Sequence, residues 1–107
     1  MEELEKSIRV NRLIDFYGEL LTSHQQEILS LYYYMDLSLS EISEQLDISR
    51  NGVYDALKKG VKLLEKYEDK LHLVAKEDEL EDFFNEIKKD KTQEELELIS
   101  LIEGKVM

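Results

Sequence analysis

The chain is 107 residues long and carries 25 acidic against 14 basic side chains, a net charge of −11. It has no cysteine, proline or tryptophan and only four glycines. Disulfides, thiolate metal sites and cysteine nucleophiles are thereby excluded, and a strongly acidic chain does not bind polyanions indiscriminately, so any phosphate contact needs a local basic patch.

The length predicts one domain, 1–107, with an N-terminal helix over 1–21, a central unit over 22–67 and an acidic C-terminal segment over 68–107. Charge divides the chain along the same lines. Residues 1–21 hold five acids and three bases, residues 22–67 seven and five, and residues 68–107 thirteen and six. The nearest thing to a linker is Ala75–Glu79 (AKEDE). The charged start, MEELEKSIRV, has no apolar signal core, and no stretch reaches the roughly 18 apolar residues of a membrane span. The expectation is a soluble cytoplasmic protein without membrane insertion.

Val10, Leu13, Ile14, Tyr17 and Leu21 recur at helical spacing and share one face, which Leu4 and Ile8 extend backward. Gly18 is a weak point in that helix. A second helix begins at Thr22 or Ser23, where Gln25 or Gln26 completes a capping box. Its stripe is Ile28, Leu31, Tyr32 and Met35. Ser38 with Glu41 caps a short third helix with Leu39, Ile42 and Leu46 inward. Ser49 then caps a fourth over about 50–66, with Val53, Leu57, Gly60, Val61 and Leu64 on one face. Leu80, Phe83, Phe84 and Ile87 mark a fifth. Thr92 and Glu95 cap a sixth, whose stripe is Leu96, Ile99, Ile102 and Val106. No segment alternates cleanly with period two, so the fold class is all-α, a helical bundle of about six helices.

The informative stretch is Leu39–Lys59, LSEISEQLDISRNGVYDALKK. A short helix, a tight turn and a longer helix follow one another. Ile42 and Leu46 are placed to meet Val53 and Leu57, Ile48 fills the corner, and Ser43 is small where the backbones approach. This is the pattern of a helix-turn-helix, whose second helix lies in a DNA major groove. With the buried face removed, that helix presents Arg50, Asn51, Tyr54, Asp55, Lys58, Lys59 and Lys62. Arg and Asn near its start suit guanine and adenine edges; Tyr54 and the lysines suit phosphate. From Ile48 to Lys66 there are five bases and two acids, a local +3. The expected nucleic-acid-binding residues are Ser49, Arg50, Asn51, Tyr54, Lys58, Lys59 and Lys62. A solvated helix start and an ordinary lysine face remain the bland alternatives.

Thr22–Tyr67 resembles region 4 of bacterial sigma factors. The Leu31-Tyr32-Tyr33 run, the Leu39–Ile42 start of the positioning helix and the Ile48–Val53 start of the recognition helix carry the likeness. The N-terminal helix and acidic tail are more similar to the YlxM family, small sigma-4-like bacterial proteins encoded beside signal recognition particle genes. The resemblance implies a DNA-binding regulator linked to that pathway. The alternative it leaves open is an RNA- or protein-binding accessory factor, with signal recognition particle RNA or proteins as partners. Asp47 stands where the motif usually has Gly, and Gly60 where it prefers Ala, which weakens the helix.

Three consecutive tyrosines, Tyr32–Tyr34, point around a helix in three directions, so core packing competes with base stacking. His24 and His72 lack a second ligand at i+3 or i+4, and the acids of 77–82 lack calcium-loop spacing, so no metal or cofactor is expected. No catalytic triad, phosphate loop or paired catalytic carboxylate is present, so an enzyme is not expected. The apolar stripes near both ends, on a chain with little bulk to cover them, predict a homodimer.

Overall fold

A computed structural model describes residues 2–107. Six α-helices follow in order: α1 (Glu2–Tyr17), α2 (Ser23–Tyr33), α3 (Leu39–Leu46), α4 (Arg50–Leu71), α5 (Leu73–Ile87) and α6 (Gln93–Val106). A 3-10 turn at Gly18–Leu20 joins α1 to α2. No strand occurs among the described residues, and none of the helices is long and apolar enough to cross a membrane. The architecture is that of an all-α helical bundle.

The helix starts are made by local hydrogen bonding. Thr22 with Gln25, Ser38 with Glu41 and Thr92 with Glu95 each form a complete capping box. In each, the hydroxyl accepts from the third backbone N–H while that residue's side chain accepts from the cap's own N–H. The ends use aspartates in the left-handed region. Asp36 has φ 58°, and the N–H of Leu37 reaches back to the carbonyl of Leu31 at 3.0 Å, which satisfies one of the terminal carbonyls of α2.

The chain divides into two compact units, Met1–Leu71 and His72–Met107. In the first, α4 packs against α1, α2 and α3. Val10, Leu13, Tyr17, Leu21, Ile28, Leu29, Ile42, Val53, Leu57 and Leu64 are buried there. The expected face is thus buried at Val10, Leu13, Tyr17 and Leu21 and half-buried at Ile14, whereas Leu4 and Ile8 are more than half exposed. On α2 the buried pair is Ile28 and Leu29, and Met35, expected on the stripe, is exposed because the helix has already ended at Tyr33. Burying Leu29 depends on Gly60, whose missing side chain lets α4 come close.

Polar contacts also hold α1 in place. Arg9 donates from Nε and Nη2 to the two carboxylate oxygens of Glu65 on α4, at 2.8 and 2.9 Å. Tyr17 donates its hydroxyl to Glu68 at 2.6 Å in a buried setting. Asn11 donates from Nδ2 to the carbonyl of Tyr33, and the Tyr34 hydroxyl meets Asp15. Burial first, and the Asp15 hydrogen bond second, push the Tyr34 pKa up to about 12.

Helix boundaries differ from the sequence reading: α1 ends at Tyr17 rather than reaching residue 21. Helix α4 continues to Leu71 rather than ending near Lys66, and α5 starts at Leu73, seven positions before Leu80. Ala75–Glu79 is thus inside a helix. The break falls instead at His72, whose backbone is left-handed at φ 57° and ψ 31°. Within the second unit Val74 and Phe84 are buried, and Lys88 pairs with Glu103 at 2.5 Å. The expected stripe of α6 is only partly covered: Leu96 and Ile99 are half-buried, while Ile102 and Val106 are exposed.

Candidate nucleic-acid interface

The helix-turn-helix comprises α3 and α4, and its turn is three residues long, Asp47–Ser49. Asp47 carries the reversal at φ 54° and ψ 48°. A left-handed backbone suits Gly best and Asp or Asn next, because a short polar side chain can bond locally. Ser43 then closes the corner from both sides. Its carbonyl accepts from the N–H of Ile48 at 3.2 Å, and its hydroxyl donates to the Ile48 carbonyl. The serine thus fixes the turn by hydrogen bonding as well as by its small size.

The core of the motif is narrower than its apolar residues suggest. Ile42 and Val53 are fully buried and Leu57 nearly so. Leu46 and Ile48, expected with them, are only half-buried, as is Leu39. Leu46 is the last residue of α3 and Ile48 lies in the turn, so solvent reaches both from the open end of the corner.

Ser49 starts α4. Its hydroxyl accepts from the Gly52 N–H at 2.9 Å, satisfying one of the four orphan donors of the first turn. Val53, Leu57, Gly60, Leu64 and Glu68 form the buried face of α4. All seven expected binding residues, Ser49, Arg50, Asn51, Tyr54, Lys58, Lys59 and Lys62, are exposed. Ser49, Arg50, Asn51 and Tyr54, with Leu39 of α3, line one cavity of about 540 Å³. At about 100° per residue, Arg50, Tyr54, Lys58, Asn51 and Lys62 fall within an arc of about 120°. Lys59 lies about half a turn away from Arg50 and does not share that arc. Asp55 is on the far edge of the same surface and exposed.

Three placements have little or no local signal in the sequence. Leu39 forms a wall of the cavity at the helix start although it reads as a core position. Lys6 of α1 reaches a second cavity beside Tyr54 and Lys58; nothing local to MEELEKS signals this. Glu68 is buried on α4 with Tyr17 as a partner, and its only signal is its position four residues after Leu64. Among the described residues no group of three or more His, Asp or Glu is arranged to hold a metal ion.

A family model described as "Putative helix-turn-helix protein, YlxM / p13 like" matches residues 4–103. The UPF0122 protein YlxM of Bacillus subtilis is 47% identical over 103 residues, covering 94% of each chain. A UPF0122 protein of Halalkalibacterium halodurans is 44% identical over 103 residues, again covering 94% of each. One from Pediococcus pentosaceus is 52% identical over 73 residues, covering 68% of this chain and 65% of its own.

Proposed function

Because the chain belongs to the YlxM/p13-like helix-turn-helix family, we propose that it is a cytoplasmic regulatory protein that binds duplex DNA through the exposed face of α4. The reading is of a binding protein rather than an enzyme. The observation that supports it best is the placement of Ser49, Arg50, Asn51 and Tyr54 around one cavity at the start of α4. The helix N-terminus attracts phosphate there, and Arg50 and Asn51 have the donor geometry for base edges. Lys58 and Lys62 stand about two and three turns further along, where phosphate would run. Lys59, about 60° beyond Lys62 around the helix, contributes through general charge.

Helix-turn-helix proteins meet two half-sites as dimers. Leu98, Leu101 and Ile102 on α6 are 62%, 65% and 56% exposed, and Leu4 and Ile8 of α1 are similarly bare. Apolar side chains at that exposure favour a covering partner, and a second copy of the chain supplies it in an isologous homodimer. Sedimentation equilibrium at micromolar concentration should return twice the chain mass. A monomer would remove the dimer from the reading.

The test of the DNA reading is selection of bound sites from a random duplex pool, repeated with Arg50→Ala. The expected result is a preferred site whose preference relaxes at one position in the variant, at a cost of about 1–3 kcal/mol on that site only. Signal recognition particle RNA is the second probe, because the resemblance of the sequence implies that pathway. Binding to that RNA without any selected duplex would replace the DNA reading with that of an accessory factor.

A further inference from the structure

Next to the proposed DNA face, and sharing Tyr54 and Lys58 with it, lies a second cleft. Tyr32 and Tyr33 of α2 and Tyr54 of α4 supply its aromatic surface, and Leu39, Leu57 and Val61 its aliphatic surface. Its volume is about 350 Å³, within the range of sites for small planar ligands. Tyr32 and Tyr33 meet edge to face, with ring centroids 4.9 Å apart. Tyr54 is 53% exposed and also lines the cavity at the start of α4, as does Leu39. The cleft is therefore continuous with the proposed interface.

Charge gives the cleft a direction. Lys6 and Lys58 are the charged side chains that line it, and no carboxylate does. Across Tyr32 and Tyr33 a neighbouring cavity shares Lys6 with the cleft but adds Glu3, Asp36 and Glu41, three carboxylates that repel a phosphate backbone. In a chain of net charge −11, a polyanion can follow the surface from α4 into the cleft but not out through the acidic side.

We infer that this cleft takes one unpaired nucleobase of the bound DNA, stacked on the tyrosines, with Lys6 and Lys58 against the flanking phosphates. The inference rests on the reading of α4 as the DNA-contacting helix. Aromatic side chains beside lysines are the usual platform for an unstacked base. The ligand is thus a duplex carrying an extrahelical nucleotide beside the segment read by α4.

The experiment compares three probes on the full chain: a fully paired duplex, the same duplex with a single bulged adenine scanned through successive positions, and the bulged duplex with an abasic residue in place of that adenine. At one position the bulge should tighten binding about tenfold over the paired duplex, and the abasic residue should remove the gain, because stacking is lost with the base. Tyr54→Ala should remove the gain, whereas Tyr54→Phe, which keeps the ring and loses only the hydroxyl, should retain it. Lys6→Ala should reduce the gain and leave the paired duplex unaffected. No preference for any bulge, or a preference that survives the abasic residue or Tyr54→Ala, overturns the inference. Binding of the paired duplex separates the two readings. If it persists without a bulge effect, the cleft fails and α4 stands. If it is absent while the bulge is bound, the duplex reading fails and the cleft stands.

Discussion

A Cβ placed on Gly60 would stand 2.9 Å from Cδ1 of Leu29 and 3.2 Å from its Cγ. Both residues are buried where α2 crosses α4, so Leu29 has nowhere to retreat. The glycine that reads from sequence as a weak point in the recognition helix is what lets the two helices close. Gly60→Ala gains about 1 kcal/mol of helix propensity but overpacks the crossing by about 1–3 kcal/mol. Thermal unfolding should show a net loss of about 1 kcal/mol. Gly104 on α6 has nothing within 4 Å of its missing Cβ, so Gly104→Ala should stabilise its unit by about 1 kcal/mol. If the two substitutions have the same sign, the account of the α2–α4 crossing is wrong.

The hydroxyl of Tyr17 donates to Glu68 at 2.6 Å in a buried setting. Removing that donor takes one hydrogen bond from a buried carboxylate, which costs more than losing an exposed one. Tyr17→Phe should lower stability by about 1–3 kcal/mol, measured by denaturant unfolding. A variant within a few tenths of a kcal/mol of the parent would show that Glu68 does not depend on Tyr17.

Truncations in the helix-turn-helix should rank by burial. Ile42 has no exposure, so Ile42→Ala should cost about 2–5 kcal/mol. Leu46 is half-buried at the end of α3, and Leu46→Ala should cost roughly half as much. An equal or inverted ranking in denaturant melts would mean that the corner is packed differently.

The capping boxes predict a pH effect. The Ser38 backbone N–H, and then the Ser38 hydroxyl, hold the Glu41 carboxyl below its ordinary value of 4.5. A folded-state pKa that is depressed contributes stability above the unfolded value and loses it as pH falls through the folded one. Glu41→Gln keeps the capping geometry but cannot titrate. At neutral pH the variant should be the less stable of the two, and the gap should close on acidification through the glutamate range. A gap that widens with acid would reverse the assigned sign.

The capping boxes were legible because each lies within four residues and depends on the chemistry of two side chains, as at Thr22 with Gln25 and Ser38 with Glu41. Asp47 could be assigned to the turn for the same reason. Features that join distant segments were not legible. Tyr17 and Glu68 are far apart in the chain, and no local pattern links them. The reach of Lys6 to Tyr54 and Lys58 depends on where α1 packs against α4. No glycine marks the break at His72, so the sequence places the boundary at Ala75–Glu79 instead. At the candidate interface, Arg50, Asn51 and Tyr54 were readable from one turn of helix. Excluding Lys59 from their arc required counting around the helix rather than along it. Leu46 and Ile48 have the spacing of core residues, but they lie at the open end of the corner.

The most direct test of the α4 reading is the salt dependence of binding to the selected duplex, for the parent and for Lys58→Ala. Each phosphate contact releases counterions and adds about −0.9 to the slope of log affinity against log salt. The two phosphate contacts assigned to Lys58 and Lys62 predict a slope near −2 for the parent. Lys58→Ala should make the slope shallower by about one and weaken all sequences alike. A parent slope near zero, or a slope unchanged by Lys58→Ala, would contradict the claim that DNA runs along the exposed face of α4.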